Sequence, residues 1–191
     1  MAPQIIGIVG LPGSGKTEVA RILASMGAPS VRMGDIVWEE LRRRGKKITE
    51  KNVGRLSNEL RKKEGLGAVA KRCIPLIKKL SRGHQMVVVD GIRGMAEVKE
   101  FRKAFGKNFH LLGCWSSQRT RYLRTSCRRR DDDTADIRSF QQKDKRELSW
   151  GLGDALALAD FIIVNEGSLE DLRKKVEEIF GKIVGGKSVE T

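Results

Sequence analysis

Five short apolar runs recur along the chain, each separated from the next by segments with helical periodicity. The runs cover residues 5–9, 30–33, 86–89, 109–114 and 161–164. Arg32 interrupts the second run and makes it the weakest of the predicted strands. Strands that alternate with helices need right-handed crossovers, so they form a mostly parallel sheet with helices on both faces. The pattern predicts a three-layer α/β fold on a five-stranded sheet.

Helical patterns fill the segments between the apolar runs. Thr49 is placed to cap a helix that ends near Gly65, and Ser168 and Asp171 have capping-box spacing at the start of the last helix. A minimal crossover between parallel strands needs one helix. The periodicity of residues 35–83 indicates about three helices, and residues 117–158 also contain more helix than a simple crossover needs. We expect a single domain over residues 1–191, with an acceptor-binding helical insertion at 35–83 and a lid within 117–158.

The segment after the first apolar run has a spacing with a specific chemical use. Gly10, four further residues and then Gly15-Lys16-Thr17 match the phosphate-binding P-loop pattern between a predicted strand and a predicted helix. Glycines let several backbone N–H groups face one anion, and the helix N-terminus adds positive potential. Lys16 can reach the terminal phosphates, and the Thr17 hydroxyl can ligate Mg²⁺. We expect a P-loop NTPase fold that binds ATP and Mg²⁺ through Gly10, Leu11, Pro12, Gly13, Ser14, Gly15, Lys16 and Thr17.

Polar residues follow the carboxyl ends of other predicted strands, where ligands bind in open parallel sheets. Asp90 ends the third run and is expected to hold Mg²⁺ through water, with a helix cap as the alternative. Arg93 is expected to clamp a phosphorylated second substrate, with a solvated arginine as the alternative. Asp35, after the second run, either orients or deprotonates an acceptor or caps a helix at Ile36.

Ten basic residues lie between positions 119 and 146. Arg121, Arg124 and Arg128 are spaced to share one helix face, and Asp131–Asp133 neutralise part of the run. Phosphoryl transfer spreads negative charge over the moving group, and arginines carried by a lid stabilise that charge. We expect Arg124 and Arg128 to contact the ligand.

The composition favours anionic partners. The chain of 191 residues has 38 basic and 24 acidic residues, a formal net charge of +14, which suits nucleotides, acidic cofactors or nucleic acid. Aromatic residues make up only 5%, which disfavours a stacking platform for single-stranded nucleic acid. No signal peptide and no apolar run of about 18 residues is present, so we expect a soluble, cytoplasmic protein without a membrane partner.

With these motifs in hand, the chain resembles a P-loop kinase of the nucleoside-monophosphate kinase type. GLPGSGKT resembles the ATP phosphate loop, MGDIVWEELRRRG the adenylate kinase segment that opens the acceptor region, and VVVDGIRG the adenylate kinase DG-x-x-R stretch. ADFIIVNEGSLEDLR and Gly27-Ala28-Pro29 instead resemble dephospho-CoA kinase, whose loop near the adenine implies a cofactor-binding role for Asn165. The whole chain is similar to an archaeal family of predicted kinases related to both, in which GAVAKRCIP and RELSWG look typical.

The resemblance implies transfer of the γ-phosphoryl group of MgATP to a nucleotide-like small molecule. Dephospho-CoA kinases usually carry an acidic pair after the second strand, where this sequence has Arg32-Met33-Gly34-Asp35 with one carboxylate. The acceptor therefore stays open between a nucleoside monophosphate, dephospho-CoA and another nucleotide-like molecule. The alternative is an adenylate-kinase-like ATPase that acts as an RNA or ribosome-assembly factor. The oligomeric state and the choice of ATP over GTP are also open, since no N-K-x-D motif for guanine occurs.

Overall fold

The computed structural model describes residues 2–128 and 136–185. The strands in this part of the chain are β1 Gln4–Val9, β2 Ser30–Arg32, β3 Met86–Asp90, β4 Phe109–Trp115 and β5 Phe161–Val164. They form one five-stranded sheet in the order β2-β3-β1-β4-β5, in which every pair is parallel. The predicted fold class is confirmed, and the interrupted second run is the shortest of these strands, with 3 residues.

The α-helices of the described residues are α1 Lys16–Ser25, α2 Met33–Arg43, α3 Glu50–Glu64, α4 Ala68–Leu80, α5 Met95–Phe105, α6 Gln118–Arg128, α7 Ile137–Ser149, α8 Leu152–Ala157 and α9 Leu169–Val184. The crossover from β2 to β3 contains α2, α3 and α4, and the crossover from β4 to β5 contains α6, α7 and α8. Thr49 caps α3 and Ser168 forms a capping box with Asp171, both as predicted. Within residues 2–128 and 136–185, the helices are too short or too polar to cross a membrane.

The sheet separates two apolar clusters, because its central strands bury side chains on both faces. Ile5, Val9 and Val89 belong to the cluster packed against α2–α5 and α8. Ile6 and Ile8 face the opposite way, toward α1 and α9. This double burial explains why the strands read as continuous apolar runs, and it places the carboxyl end of β1 in the middle of one sheet edge.

A carboxylate cluster joins the helices of the first enlarged crossover. Glu40 of α2 accepts hydrogen bonds from Arg43 at 2.8 Å and from Arg44 at 2.7 Å. Arg44 also bonds Glu59 of α3 at 2.9 Å, and Arg72 of α4 lies 4.0 Å from Glu40. The hydrogen bonds from Arg43 and Arg44 lower the pKa of Glu40 to about 2, although the side chain is mostly buried.

We expect Glu40→Gln to lower the free energy of unfolding at pH 7 by about 1–2 kcal/mol, because it removes charge-assisted hydrogen bonds. A carboxylate with a depressed folded pKa stabilises the protein fully above its unfolded pKa of 4.5 and loses this effect as the pH falls toward 2. The stability difference between variant and wild type should therefore shrink between pH 5 and pH 2.5 in thermal unfolding series. Glu39→Gln, at the exposed neighbouring position, is the matched control; a difference that stays constant with pH would contradict the assignment.

Candidate active site

The loop between β1 and α1 starts at the carboxyl end of the central strand, where β1 lies between β3 and β4. Two glycines fix its path. A Cβ at Gly10 would lie 2.3 Å from the Cys114 carbonyl oxygen. Gly15 has φ of +105°, and a Cβ there would lie 2.3 Å from Asn165 Nδ2. Both positions therefore require glycine, and the loop turns tightly against the ends of β4 and β5.

The loop is held from behind through its carbonyl groups. Asn165 Nδ2 donates to the Ser14 carbonyl oxygen at 2.8 Å, and Cys114 Sγ donates to the same atom at 3.0 Å. The first amides of α1 have no intrahelical acceptor and form the positive end of the helix dipole. A loop with its carbonyls bound outward and these amides at its mouth is suited to bind an anion.

Lys16 extends across the mouth of this loop. Its Nζ donates to the carbonyl oxygens of Gly10 at 2.6 Å and Leu11 at 3.1 Å. Burial lowers the pKa of Lys16 to about 8, and the nearby Arg93 guanidinium acts in the same direction, while Asp90 opposes both. Lys16, Arg93 and Asp90 are therefore close enough to interact electrostatically, as their predicted roles require.

Two oxygen donors lie beside the loop. Asp90 is the last residue of β3 and pairs in register with Ile8 of β1, which places its carboxylate next to the start of the loop. Thr17 lies exposed in the first turn of α1. Mg²⁺ commonly takes one or two protein oxygens and completes its shell with water and substrate phosphates. A hydroxyl and a carboxylate on either side of a phosphate loop fit that requirement, and the assignment of Thr17 and Asp90 to Mg²⁺ stays a prediction.

Arg93 is positioned by two buried carboxylates that sequence reasoning missed. Its guanidinium pairs with Glu147 of α7, and its backbone N–H donates to Glu97 of α5 at 2.7 Å. Both glutamates are only 3% exposed, whereas the Arg93 side chain is 44% exposed. Arg93 is thus held at its backbone and at one guanidinium nitrogen, while part of its side chain stays exposed to solvent. Burial raises the pKa of Glu97, although Arg93 and Arg61 counteract this shift.

Arg121 of α6 supports the phosphate loop. It forms two hydrogen bonds to Asp144 of α7, at 2.8 and 2.6 Å, and donates to the Pro12 carbonyl oxygen at 3.1 Å. The residue is 3% exposed and lies 5.2 Å from the Phe140 ring centroid. Its contacts fix α6 and α7 against the loop, so its role is structural and differs from that of an exposed lid arginine.

Arg124 lies on the same helix and also reaches the site. Its Nη1 donates to Ser116 Oγ and to the Asn165 carbonyl oxygen, each at 3.1 Å. Asn165 is therefore held by its carbonyl group while its side-chain amide supports the phosphate loop. Arg128 ends α6, but its side chain lies outside the described residues, as do Arg129–Arg130 and Asp131–Asp133.

The structure contradicts one of the two roles predicted for Asp35. The helix expected to start at Ile36 begins at Met33, with Arg32 as its N-cap and no capping bond from a side chain. Asp35 therefore lies inside the first turn, and the predicted cap is wrong. Its side chain is 53% exposed and its carboxylate is 3.8 Å from Arg32. An exposed carboxylate at the carboxyl end of β2 stays available for the acceptor role.

The sequence of the chain is similar to those of known proteins. The sequence profile of the AAA domain family matches residues 9–138, a range that contains the phosphate loop, Asp90 and Arg93. A UPF0200/UPF0201 protein of Archaeoglobus fulgidus is 45% identical over 98% of this chain, which spans only 58% of that relative. A UPF0200 protein of Methanosarcina mazei is 44% identical over 92% of this chain and 93% of its own length.

Solved structures extend the likeness to the fold. A shikimate kinase from Acinetobacter baumannii in complex with shikimate has a TM-score of 0.57 at 18% identity, covering 98% of this chain and 96% of its own. A gluconokinase from Sinorhizobium meliloti has a TM-score of 0.58 at 16% identity, covering 97% of this chain and 95% of its own. These likenesses support the P-loop kinase-like fold and do not single out the nucleoside-monophosphate kinase type. The chain therefore belongs to the AAA domain family and to the family of UPF0200 proteins.

Proposed function

We propose that the chain is an ATP-dependent kinase that transfers the γ-phosphoryl group of MgATP to a nucleotide-like small molecule, either a nucleoside monophosphate or dephospho-CoA. One observation carries the proposal: the Lys16 amino group lies on the phosphate loop within electrostatic range of both Asp90 and Arg93. A binding-only P-loop would not need a second, partly exposed cation beside Lys16. Arg93 supplies that cation.

Different residues of the site would bind the triphosphate and the Mg²⁺ ion. The amides at the start of α1 and the Lys16 ammonium would hold the triphosphate, and Lys16 would stabilise charge on the transferring phosphoryl group. Thr17 and Asp90 would hold Mg²⁺, which when bound neutralises charge shared by the β- and γ-phosphates. Asn165 would keep the loop in shape next to the nucleotide.

The acceptor would bind on the other side of Lys16. Arg93 would fix its anionic group and Asp35 would orient it, with α2–α4 forming the acceptor-binding insertion. Arg124 and Arg128 would close over the reaction from residues 117–158 and exclude water, since hydrolysis is the competing outcome. The named shikimate kinase and gluconokinase support a small-molecule acceptor.

We expect Lys16→Ala to reduce phosphoryl transfer at least about a hundredfold, because one charge that stabilises the transition state is lost. The measurement is acceptor-dependent ADP release with AMP, CMP, GMP, UMP and dephospho-CoA as separate acceptors. Lys182→Ala, on the far end of α9, should behave as wild type. Near-normal transfer by the Lys16→Ala variant would defeat the mechanism.

The lowered pKa of Lys16 gives a second test. A bound triphosphate raises the pKa of a neighbouring ammonium, so MgATP binding above pH 8 must take up a proton. We expect uptake of roughly 0.7 proton per site at pH 8.5, little at pH 6.5, and an affinity that falls as the pH rises through 8. Calorimetry in buffers of different ionisation enthalpy measures this uptake. Lys16→Met should abolish it, and equal uptake by that variant would place the titrating group elsewhere.

One surface favours the second candidate function, an ATPase that acts on RNA. A groove of about 400 Å³ lies at the amino ends of β1 and β4, opposite the phosphate loop, and its lining is Pro3, Lys78, Ser81, Arg82, Ala104, Phe105 and Asn108. Lys79, Lys103 and Lys107 lie close to it in sequence and are exposed. The described residues include no carboxylate paired with any of these five cations, which suits a phosphate backbone.

If RNA binds this groove, its affinity should fall steeply as the salt concentration rises. A plot of the logarithm of the binding constant against the logarithm of the salt concentration should have a slope of roughly −0.7 for each phosphate contacted. We expect Lys78→Glu with Lys103→Glu to weaken binding of a single-stranded RNA and to reduce that slope by roughly 1.4. Lys182→Glu on α9 makes the same charge change as either single substitution and should weaken RNA binding less than Lys78→Glu or Lys103→Glu alone. RNA binding indifferent to the double substitution, or no RNA-stimulated ATPase activity, would exclude this candidate and leave the kinase.

A further inference from the structure

Trp150 lies against the loop that carries Arg93. It directly follows α7, and its backbone carbonyl packs on Gly94, where an added Cβ would lie 2.3 Å from the Trp150 oxygen. Because Gly94 follows Arg93, this contact fixes the backbone of Trp150 against the segment that carries Arg93. The Arg93 guanidinium lies 6.0 Å from the centre of the Trp150 ring and also interacts electrostatically with Lys16, so the ring lies on the Arg93 side of the phosphate loop.

Three arginines from three parts of the chain surround this ring. The guanidinium carbons of Arg61, Arg93 and Arg146 lie 5.4, 6.0 and 5.9 Å from the ring centroid. Arg61 belongs to α3, Arg93 to the loop after β3, and Arg146 to α7. These distances are within the range of cation–π attraction. The residue stays 39% exposed, so solvent still reaches part of its surface beside the three arginines.

Buried carboxylates hold two of these arginines in place. Glu97 lies 3.6 Å from the Arg61 guanidinium and also accepts the backbone N–H of Arg93. Glu147 pairs with the Arg93 guanidinium. Burying two carboxylates costs desolvation energy that an apolar pair of similar size would avoid, so this arrangement contributes position more than stability. It orders the guanidinium groups around an indole that solvent can still reach.

An exposed indole ringed by ordered guanidinium groups recognises a specific kind of ligand. An aromatic ring stacks on the indole, and guanidinium groups bind phosphate through paired hydrogen bonds or stack on the same ring. Shikimate, the ligand of one structural neighbour, contains no aromatic ring and could not use this platform. The subsite therefore separates acceptors by the presence of a flat ring.

We propose that Trp150 is the stacking platform for the aromatic base of the phosphoryl acceptor, and that Arg61, Arg93 and Arg146 bind the phosphate carried by the ribose of the same molecule. The acceptor is then a purine or pyrimidine joined to phosphate. This assignment rests on the proposed kinase function and adds the residue that determines acceptor specificity. AMP, CMP, GMP, UMP and dephospho-CoA share this chemistry, and the experiment distinguishes among them.

Binding is tested without turnover in the Trp38→Phe, Trp115→Phe protein, in which Trp150 is the remaining tryptophan. Its fluorescence is titrated with each of the five nucleotides, and with ribose 5-phosphate and shikimate, while Mg²⁺ and a non-hydrolysable ATP analogue occupy the phosphate loop. We expect saturable quenching by at least one aromatic phosphate and none by ribose 5-phosphate or shikimate. Absence of quenching by every aromatic phosphate, or equal quenching by ribose 5-phosphate, overturns the proposal.

Kinetics then separates the two proposals. With the acceptor that turns over, Trp150→Leu should raise the acceptor KM roughly tenfold or more and leave the KM for ATP unchanged, because base stacking is lost. Trp150→Phe should restore most of the affinity, and Trp115→Leu, which removes a similarly exposed indole from β4, should have no effect. If a non-aromatic acceptor is phosphorylated and its KM is unchanged by Trp150→Leu, the stacking role of Trp150 is contradicted and the proposed kinase function is retained. ADP release that is indifferent to Lys16→Ala would instead defeat the kinase.

Discussion

The site depends on hydrogen bonds that hold the carbonyl groups of the phosphate loop against the ends of β4 and β5. The Ser14 carbonyl accepts hydrogen bonds from Asn165 and Cys114, and the Pro12 carbonyl accepts one from Arg121. A carbonyl fixed outward forces the adjacent peptide N–H groups inward, where a tight loop needs them to bind an anion. The position of β1 makes this attachment feasible, because β4 and then β5 follow it on one side of the sheet and end next to the loop.

Helix α7 links the loop to the acceptor side through two carboxylates on one face. Asp144 holds Arg121 behind the loop, and Glu147 holds Arg93 in front of Lys16. Both acids are buried, so each pair loses solvation and returns little net stability. Their effect is geometric: a displacement of α7 would move the support of the loop and the acceptor-facing arginine together. The described part of residues 117–158 is thereby coupled to the site through α6 and α7.

The sequence predicts the scaffold well because local signals determine it. The five apolar runs correspond to the five strands, and for the central strands β1, β3 and β4 burial on both sheet faces explains the continuous apolar pattern. Glycine spacing identifies the phosphate loop for the same reason, because its close contacts exclude side chains. The start of α2 is missed, since Met33 reads as the end of a buried strand although it is the first residue of a helix that is equally buried.

The partners within the site are not visible in the sequence. Arg121 and Asp144 are separated by 23 positions, and Arg93 and Glu147 by 54. Only the packing of α7 brings these pairs together. One partial signal exists: Asp144 and Glu147 follow Phe140 at helical spacing and so place acids on its apolar face. Such acids need cationic partners, but no local rule names which of the many arginines supply them.

The hydrogen bond from Asn165 to the Ser14 carbonyl determines how early during synthesis the phosphate loop can become able to bind a nucleotide. These residues are 151 positions apart, so Asn165 is synthesised long after Ser14, and until then the loop lacks this hydrogen bond. Domains form as their segments emerge, at roughly 5–20 residues per second. The phosphate loop therefore leaves the ribosome well before β5 does, and it reaches its final shape only after Asn165 has packed against it.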